Sequence, residues 1–359
     1  MTNGELTLIV KEKARQLGFT LVGVTLPQRP DHMNVYMDWL SAGRYASMDY
    51  LANQQAVERR ADPSLILPEC RSILVLGTPY SNPKVEPLNS DTTGRGRVAA
   101  YAWGDDYHVV LPTRMQELIV FLESLIGQPV ANRWYTDTGP VLERELAMCA
   151  GLGWIGKNTC LIVPGHGSYF FLSEIFLDVE LVPDKPFLAD QCGTCTRCLD
   201  ACPTGCILSN RTLDARSCIS YQTIENKAEI PKELRPMIAD WVFGCDICQI
   251  VCPWNIQFAQ LNGDTAFSPR PSVPSPFIAD ELQLTPHEFN KKFKNSPLKR
   301  TKRRGYLRNN AIAAGNSGNM NFLPALGQAE NDDEPIIIEA AQWALHLLQK
   351  ITPNGSNGT

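Results

Sequence analysis

The sequence predicts an α+β protein of several domains, and three observations support this prediction. Helix-like and strand-like stretches alternate through the first half of the chain, which favours an α/β domain over residues 1–185. Nine of the 12 cysteines fall between Cys192 and Cys252, which predicts a separate cysteine-rich domain over 186–265. Helical periodicity returns near the end, so we expect a helical segment over 277–359.

Local patterns define the elements of the α/β domain. Two amphipathic stretches indicate helices and two short apolar runs indicate strands. These are residues 6–17 and 115–125 for the helices, and residues 72–76 and 161–163 for the strands. Clusters of Pro, Gly, Asn and Ser predict a surface loop over 81–97 and a linker over 268–276.

The tail carries helix signals of its own. Acids precede Pro335 and an apolar face follows it, which predicts the start of a helix. This helix and the segment 307–314 form a predicted helical hairpin, and we expect residues 353–359 to fray.

Composition excludes several classes of protein. With 44% hydrophobic and 20% charged residues, a chain of 359 residues can bury sizeable cores and is neither disordered nor collagen-like. Its 33 basic and 38 acidic side chains leave a formal charge of −5, unlike a generally basic nucleic-acid coat protein. The start lacks the apolar core of a signal peptide and no apolar run has membrane-spanning length, so we expect a cytoplasmic protein. The sequence shows no obvious exposed apolar stripe, so we expect a monomer. In that reducing compartment, 12 cysteines point to metal or redox chemistry.

The cysteine spacing predicts two [4Fe–4S] clusters. Cys192, Cys195, Cys198 and Cys202 form the C-x2-C-x2-C-x3-C-P run of two-cluster ferredoxins. A second run lacks its first cysteine, and Cys218 can replace it. In such runs the fourth cysteine binds the neighbouring cluster, so the ligands cross over. We therefore assign cluster one to Cys192, Cys195, Cys198 and Cys252, and cluster two to Cys202, Cys218, Cys245 and Cys248.

Zinc is the structural alternative, since paired C-x2-C motifs also make zinc ribbons. Two runs that each end in Cys-Pro favour the clusters instead. Cys206 is left over, and we expect it to be a small buried hydrophobic residue.

The segment 151–157 resembles a nucleotide-binding glycine motif, but its context is reversed. A helical pattern precedes it and an apolar run follows it, whereas a phosphate-binding loop follows a strand and opens a helix. The segment is either a glycine-rich end of a helix or a place where the backbone lies close to a large cofactor. In the second case Lys157 and Asn158 would be polar contacts to that cofactor.

Asp137 is the candidate acid, in the turn-like run 136–140. A turn or capping role is the alternative on composition alone. A reductase that expels oxygen as water needs a proton donor, and shielding by a bulky cofactor raises the pKa of a carboxylic acid. His108 lies in an incomplete corrinoid motif that has Leu111 in the glycine position, so we expect a structural histidine and not a cobalt ligand.

A basic stretch over 291–308 contains nine Lys and Arg residues and no acid. Such a run usually forms a solvent-exposed surface of the protein. The functional alternative is that it binds an anionic polymer such as a nucleic acid. Phe293 and Tyr306 interrupt it and could stack on unpaired bases. The residues we expect to bind RNA are Lys299, Arg300, Lys302, Arg303 and Arg304.

Together these motifs resemble the epoxyqueuosine reductase family, iron–sulfur and cobalamin enzymes that complete queuosine in transfer RNA. The resemblance rests on the runs 137–145, 151–158 and 218–225 and on both cysteine motifs. It implies a cobalamin between the α/β and cysteine-rich domains, with Asp137 as proton donor. It further implies a HEAT-like tail that grips the anticodon stem-loop of a tRNA carrying epoxyqueuosine at the wobble position, and an external electron donor. The implied cobalamin contacts are Arg60, Asp137, Lys157, Asn158, Ser220 and Asp246.

Two other functions remain open from the sequence. One is a corrinoid and iron–sulfur reductase of a small molecule, similar to reductive dehalogenases, against which the basic stretch argues. The other is a non-catalytic, ferredoxin-type electron carrier.

Overall fold

The computed structural model describes residues 1–80, 94–260 and 263–351, the last without its side chain. Most of the predicted loop and the predicted frayed end lie outside these residues. The strands are β1 (Leu21–Thr25), β2 (Ser72–Pro79), β3 (Arg97–Val98), β4 (Asn132–Tyr135), β5 (Trp154–Ile155), β6 (Leu161–Ile162), β7 (Phe170–Leu177) and β8 (Trp241–Phe243). The helices are α1 (Asn3–Gln16), α2 (Met33–Ser41), α3 (Asp49–Ala52), α4 (Gln54–Ala61), α5 (Tyr107–Ile126), α6 (Glu143–Cys149), α7 (Arg197–Ala201), α8 (Ile219–Ile224), α9 (Arg235–Ile238), α10 (Ile247–Ile250), α11 (Pro253–Phe258), α12 (Ile278–Glu281), α13 (Pro286–Lys292), α14 (Lys302–Asn316), α15 (Leu323–Ala329) and α16 (Pro335–Ile351).

The main sheet has the strand order β1-β2-β7-β4, and every pairing in it is antiparallel. Helices and strands alternate as predicted, but the prediction of an α/β domain was wrong about strand direction. Hydrophobic patterns identify strands but do not specify how the strands pair. Alternating helices and strands can therefore form an antiparallel sheet as well as a parallel one.

Side chains on β2 alternate between two hydrophobic cores. Leu74 and Leu76 face the core beneath α1 and α5, whereas Ile73 and Val75 face the core beneath α6. This period of two is that of a strand buried on both faces. Truncation of a fully buried leucine to alanine costs about 2–5 kcal/mol, so Leu74→Ala should destabilise the domain by that order.

Local chemistry sets several helix ends. Thr2 and Glu5 form a reciprocal capping box at the start of α1. Gly127 ends α5 in the left-handed conformation with a φ of 79°. Cys218 and Cys252 lie at the N-caps of α8 and α11, so these helix starts hold two of the predicted cluster ligands in place.

One hydrophobic core joins the cysteine-rich segment to the helical tail. It contains Ile219 of α8, Val242 of β8, Ile312 of α14 and Leu348 of α16. Helices α14 and α16 lie side by side, and a Cβ on Gly315 would come within 2.9 Å of Ala344. The predicted pair of helices is therefore present, while the HEAT-like description and the domain boundaries stay predictions.

Two further expectations need correction. Phe293 and Tyr306 are 1% and 0% exposed within this core, so neither can stack on RNA bases. A charge run does not specify which of its interspersed residues turn inward. The predicted loop also ends earlier than expected, because Arg95 pairs with Phe277 and Arg97 belongs to β3. In the part of the chain that the structure describes, no helix is long and apolar enough to cross a membrane.

Candidate active site and iron–sulfur centres

Asp137 lies in a tight turn between β4 and α6. Its backbone has a φ of 63°, a conformation that few residues other than glycine, asparagine and aspartate adopt readily. Its N–H donates to Glu143 Oε1 at 2.5 Å. A Cβ on Gly139 would come within 2.4 Å of the Tyr135 ring, so the turn needs glycine there. The turn leaves the Asp137 side chain 63% exposed.

A polar network surrounds the Asp137 carboxylate. Tyr107 donates its hydroxyl hydrogen to Asp137 Oδ2 at 2.9 Å, and His108 Nε2 lies 3.5 Å from the same oxygen. Desolvation by the surrounding protein opposes ionisation of Asp137, but the hydrogen bonds with His108 and Tyr107 lower its pKa below the ordinary value. Burial likewise opposes the charge on His108, yet its bonds with Asp106 and Asp137 raise the pKa of His108 to about 9. The unliganded chain therefore holds an aspartate–histidinium pair here at neutral pH.

Two further acids lie behind Asp137. Burial, reinforced by the Asp137 charge, raises the pKa of Glu143. Burial, reinforced by Glu143, raises the pKa of Glu174 well above its ordinary value, and both its carboxyl oxygens are buried without a hydrogen-bond partner among the described residues. Both acids therefore favour the neutral form.

An aromatic row leads from Asp137 to the cysteine-rich domain. Tyr107 stacks on Phe171 at 4.5 Å, Phe171 contacts Tyr80 at 4.7 Å, and Tyr80 contacts Tyr169 at 5.6 Å between ring centroids. Tyr101 flanks the Tyr107 end at 6.3 Å. We call these five rings the aromatic row.

The far end of the aromatic row lies beside cluster-two cysteines. Burial is the main cause that raises the pKa of Tyr169, and the charges of Asp246 and Cys248 raise it further. Asp246 and Cys248 therefore lie near Tyr169. Burial raises the pKa of Tyr101 as well, and the charges of Asp137 and Asp246 both add to that increase. We call the region between Asp137 and Cys248 the central cleft.

The central cleft fits a large, mostly apolar cofactor. The Tyr169 hydroxyl is buried and has no hydrogen-bond partner within the described residues. Arg60 is 6% exposed, donates to the Ala56 carbonyl and lies over the Tyr36 ring, and no described acid pairs with it. Flat rings and unpartnered polar groups are the lining that such a ligand covers.

The other predicted cofactor contacts lie in different surroundings. Asp246 is 3% exposed, accepts a hydrogen bond from the Ala100 N–H at 2.7 Å, and burial raises its pKa to about 7. Asn158 is buried and donates to the Cys248 carbonyl at 3.4 Å. Ser220 is half-buried in α8. Lys157 faces the cluster-one loop, where it donates to the Gly193 and Cys195 carbonyls at 2.7 and 2.9 Å. A cobalamin contact for each of them stays a prediction.

The cysteines interact electrostatically in two sets, although within the described residues no three of them are arranged to hold a single metal ion. Burial raises the pKa of Cys198 to about 11, and its nearest thiols belong to Cys192 and Cys252. The second group forms around Cys245, whose neighbours include Cys218 and Cys202. At Cys198 and Cys245, burial and the charges of neighbouring thiols both oppose the thiolate form, and a cationic cluster core would relieve this. At Cys202 the pKa is lowered to about 5, because Cys206 donates a hydrogen bond to it. The ligand assignment to the two clusters stays a prediction.

Sequence reasoning missed three neighbours of these groups. The Cys160 thiol bonds to Cys248, and the Cys206 sulfur lies 3.5 Å from that of Cys202, where it is 5% exposed. The Trp154 indole N–H donates to Cys192 Sγ at 3.4 Å. Spacing along the chain cannot reveal such contacts, although the reversed glycine motif did mark the segment that carries Trp154.

The predicted RNA-binding residues lie on one stretch around the start of α14. Lys299, Arg300 and Lys302 are exposed, while Arg303 and Arg304 are half-buried. Two of the five are already paired, Arg300 with Glu225 at 2.8 Å and Arg303 with Asp332 at 2.5 Å. Arg300 also helps to lower the pKa of Asp137, so the basic stretch extends to the active site.

A model of the 4Fe-4S double cluster binding domain matches residues 191–255. Together with the paired cysteine groups and the adjacent acid-bearing cleft, this match defines the class of protein: an iron–sulfur oxidoreductase with two [4Fe–4S] clusters. A model of epoxyqueuosine reductase QueG matches residues 60–138, a range that includes Arg60 and Asp137.

Whole-chain relatives agree with these matches. Epoxyqueuosine reductase of Xanthomonas campestris pv. campestris is 40% identical over 345 residues, which covers 94% of each chain. The crystal structure of epoxyqueuosine reductase with an epoxyqueuosine-modified tRNA-Tyr stem loop has a TM-score of 0.87 at 30% identity, covering 96% of this chain and 90% of that chain. The Bacillus subtilis epoxyqueuosine reductase, solved with a catalytic loop, named for an aspartate, swung out of the active site, has a TM-score of 0.85 at 30% identity, covering 96% of this chain and 90% of that chain. The chain therefore belongs to the epoxyqueuosine reductase family.

Family membership decides between the functions that the sequence left open. The chain is an oxidoreductase that reduces epoxyqueuosine in tRNA, and neither a small-molecule reductase nor a bare electron carrier. It has two [4Fe–4S] clusters, and enzymes of the family depend on cobalamin.

Proposed function

We propose that Asp137 donates a proton to the epoxide oxygen of epoxyqueuosine at the wobble position, in a cobalamin site formed by the central cleft. Two electrons and two protons convert the epoxide to the alkene of queuosine and release its oxygen as water. The two clusters would deliver single electrons from an external donor, and cobalamin would supply the reducing metal centre. The observation that carries the proposal is the position of Asp137 at the head of the aromatic row that leads to Cys248.

The polar network around Asp137 supports proton transfer at this position. Because His108 and Tyr107 both contact Asp137 Oδ2, the carboxylate lies within reach of two groups that can hold a proton. A cofactor and a nucleoside that cover the exposed carboxylate would exclude water and raise the pKa of Asp137. The B. subtilis relative, whose catalytic loop is named for an aspartate, supports the assignment.

The residues that would hold cobalamin border the central cleft. Arg60 offers a buried positive charge to an anionic group of the cofactor, and Asp246 and Ser220 offer polar contacts from the cysteine-rich side. Asn158 acts from the edge, since its side chain is already bonded to the Cys248 carbonyl.

The basic stretch would hold the anticodon stem-loop. Lys299 and Lys302 expose their charges to solvent, and Arg300, which is paired with Glu225, is close enough to affect the pKa of Asp137. A phosphate backbone bound there would bring its modified base to the cleft. The relative solved with a modified stem loop supports this arrangement. We further propose that the chain acts on tRNA as a cytoplasmic monomer.

Anaerobic purification followed by metal analysis tests the proposal. About eight irons, matching two four-iron clusters, and one cobalt per chain are expected, with turnover of an epoxyqueuosine stem-loop upon reduction. Full iron and turnover without cobalt would contradict the cobalamin site, and zinc in place of iron would contradict the electron path.

A further inference from the structure

The glycine-rich segment 151–157 has no part in the proposed reaction, although the sequence singles it out. The structure shows it as the exit of α6 and the first strand of the β5–β6 hairpin. A Cβ on Gly153 would lie 2.1 Å from the Ile162 carbonyl oxygen, so the hairpin closes only with glycine there. This tight hairpin holds Trp154 and Lys157 against the loop that carries the first three cysteines of cluster one.

Trp154 is the first point of contact with that loop. Its side chain is 3% exposed, and its indole N–H donates to Cys192 Sγ at 3.4 Å. Its ring lies against Phe187 and Trp254, at 5.8 and 4.9 Å between centroids. A phenylalanine would keep an aromatic ring here but has no N–H, so the donor directed at the sulfur is what distinguishes tryptophan.

Lys157 is the second point of contact. Its ammonium group donates to the Gly193 and Cys195 carbonyls, at 2.7 and 2.9 Å. These residues belong to the same ligand loop, so a positive charge is fixed beside two of its cysteines.

Arg211 completes the attachment of the hairpin to the loop. It donates to the Ile155 carbonyl at 2.8 Å and to Asp190 Oδ2 at 2.5 Å. The other Asp190 oxygen accepts the Cys192 N–H at 2.9 Å. The hairpin and the ligand loop are therefore connected at several points, and the donor groups of Trp154 and Lys157 have fixed positions relative to the cluster-one cysteines.

Hydrogen bonds to the sulfurs and nearby charges set the reduction potential of an iron–sulfur cluster. One-electron reduction adds negative charge, and a donor or a cation beside the thiolates stabilises the reduced form more than the oxidised form. Cluster two has different neighbours, since its Cys248 thiol contacts Cys160 and lies near Asp246.

We propose that Trp154 and Lys157 are positioning residues that raise the reduction potential of cluster one, Trp154 through its N–H to Cys192 and Lys157 through its charge. The glycine-rich segment thus serves cluster one. The inference depends on the clusters alone. Reduction potentials can be measured without RNA, so its outcome is independent of the reaction proposed at Asp137.

Redox titration of the full-length chain carrying both clusters, followed by electron paramagnetic resonance with and without cobalamin, tests this proposal. In Trp154→Phe we expect the reduction equilibrium of cluster one to become about tenfold less favourable, a fall of about 59 mV for one electron. Lys157→Met should shift the same cluster in the same direction. Cluster two should titrate as in the parent chain.

Two matched variants serve as controls. Trp254→Phe changes a neighbouring ring whose nitrogen makes no hydrogen bond to a cysteine sulfur within the described residues, and Lys157→Arg keeps the charge; both should titrate like the parent. Iron content is measured for every variant. If Trp154→Phe loses iron, the test is the difference in the reduction potential of cluster one between Lys157→Met and Lys157→Arg. Unchanged potentials at full iron content, or equal shifts of both clusters, would overturn it.

Discussion

Asp137 and Asp246 both contribute to the raised pKa of Tyr101, yet their own surroundings shift their pKa values in opposite directions. The Asp137 side chain is 63% exposed and bonded to Tyr107 and His108, which lower its pKa despite the crowding around it. Asp246 is 3% exposed, has one backbone N–H as its hydrogen-bond donor in the described structure, and burial raises its pKa to about 7. The comparison shows that partners and burial, rather than residue type, set the charge of each acid.

This difference suggests a division of roles. An exposed acid with proton-bearing partners can exchange protons with a substrate, whereas a buried acid fixed to the backbone is suited to hold a cofactor in place. The following substitutions test that division.

Removal of the Asp137 carboxylate should have the largest effect. We expect Asp137→Asn to lower turnover of an epoxyqueuosine stem-loop by about 10²–10⁴-fold, the usual contribution of general acid catalysis. Reduction of both clusters by dithionite should stay at the parental rate, because the variant leaves the cysteine groups untouched.

The control is Asp38→Asn, an exposed aspartate of α2. Near-parental turnover of Asp137→Asn, with cobalt and iron content intact, would show that the proton comes from another group.

Substitution of Asp246 should have a smaller effect of another kind. Asp246→Asn keeps an oxygen that can accept the Ala100 N–H but removes the acid, so we expect cobalamin affinity to fall by up to about tenfold, equivalent to the loss of one hydrogen bond. Absorption titration with cobalamin measures this. If the variant binds cobalamin normally and loses as much turnover as Asp137→Asn, the division of roles is reversed.

The two acids also show what sequence could and could not predict. The cysteine groups were predictable because cluster ligation requires fixed local spacing. The candidate acid could be selected from its turn-like run, but its partners could not, since Tyr107 lies 30 positions away along the chain. Burial of Asp246 depends on the short 3₁₀ helix Ala100–Ala102 meeting the cysteine-rich segment, which no local pattern encodes.

Errors of prediction have the same origin. The pattern of the first domain predicted helices and strands correctly, but hydrophobic alternation does not specify parallel or antiparallel pairing. Phe293 and Tyr306 were expected beside RNA because of their charged neighbours, whereas the packing of α13 against α14 buries both. The bonds of Lys157 to the cluster-one loop could not be predicted from the chain either, and its cobalamin contact stays a prediction.

The basic stretch should affect the Asp137 side of the cleft and not the Asp246 side. Arg300→Gln removes an exposed charge near Asp137, so we expect RNA affinity to fall a few-fold and the slope of log K against log salt to weaken by about 0.7–0.9. Cobalamin affinity should not change. The control is Lys232→Gln, an exposed charge on another surface stretch, and an equal loss for both would indicate nonspecific attraction.

The smallest effect concerns stability around Asp137. His108 has a folded pKa of about 9, above its ordinary value of 6.5, so the stabilisation from its charged form is fully present below about pH 6.5 and is lost as the pH rises through 9. We expect the free energy of unfolding of the parent to exceed that of His108→Gln by less than about 1 kcal/mol at pH 6, because the pair is partly exposed. Denaturant unfolding at several pH values should show this difference shrinking toward pH 10. A difference that stays constant from pH 6 to 10 would mean that His108 stabilises the turn by packing alone, and the contrast with Asp246 would then rest on burial.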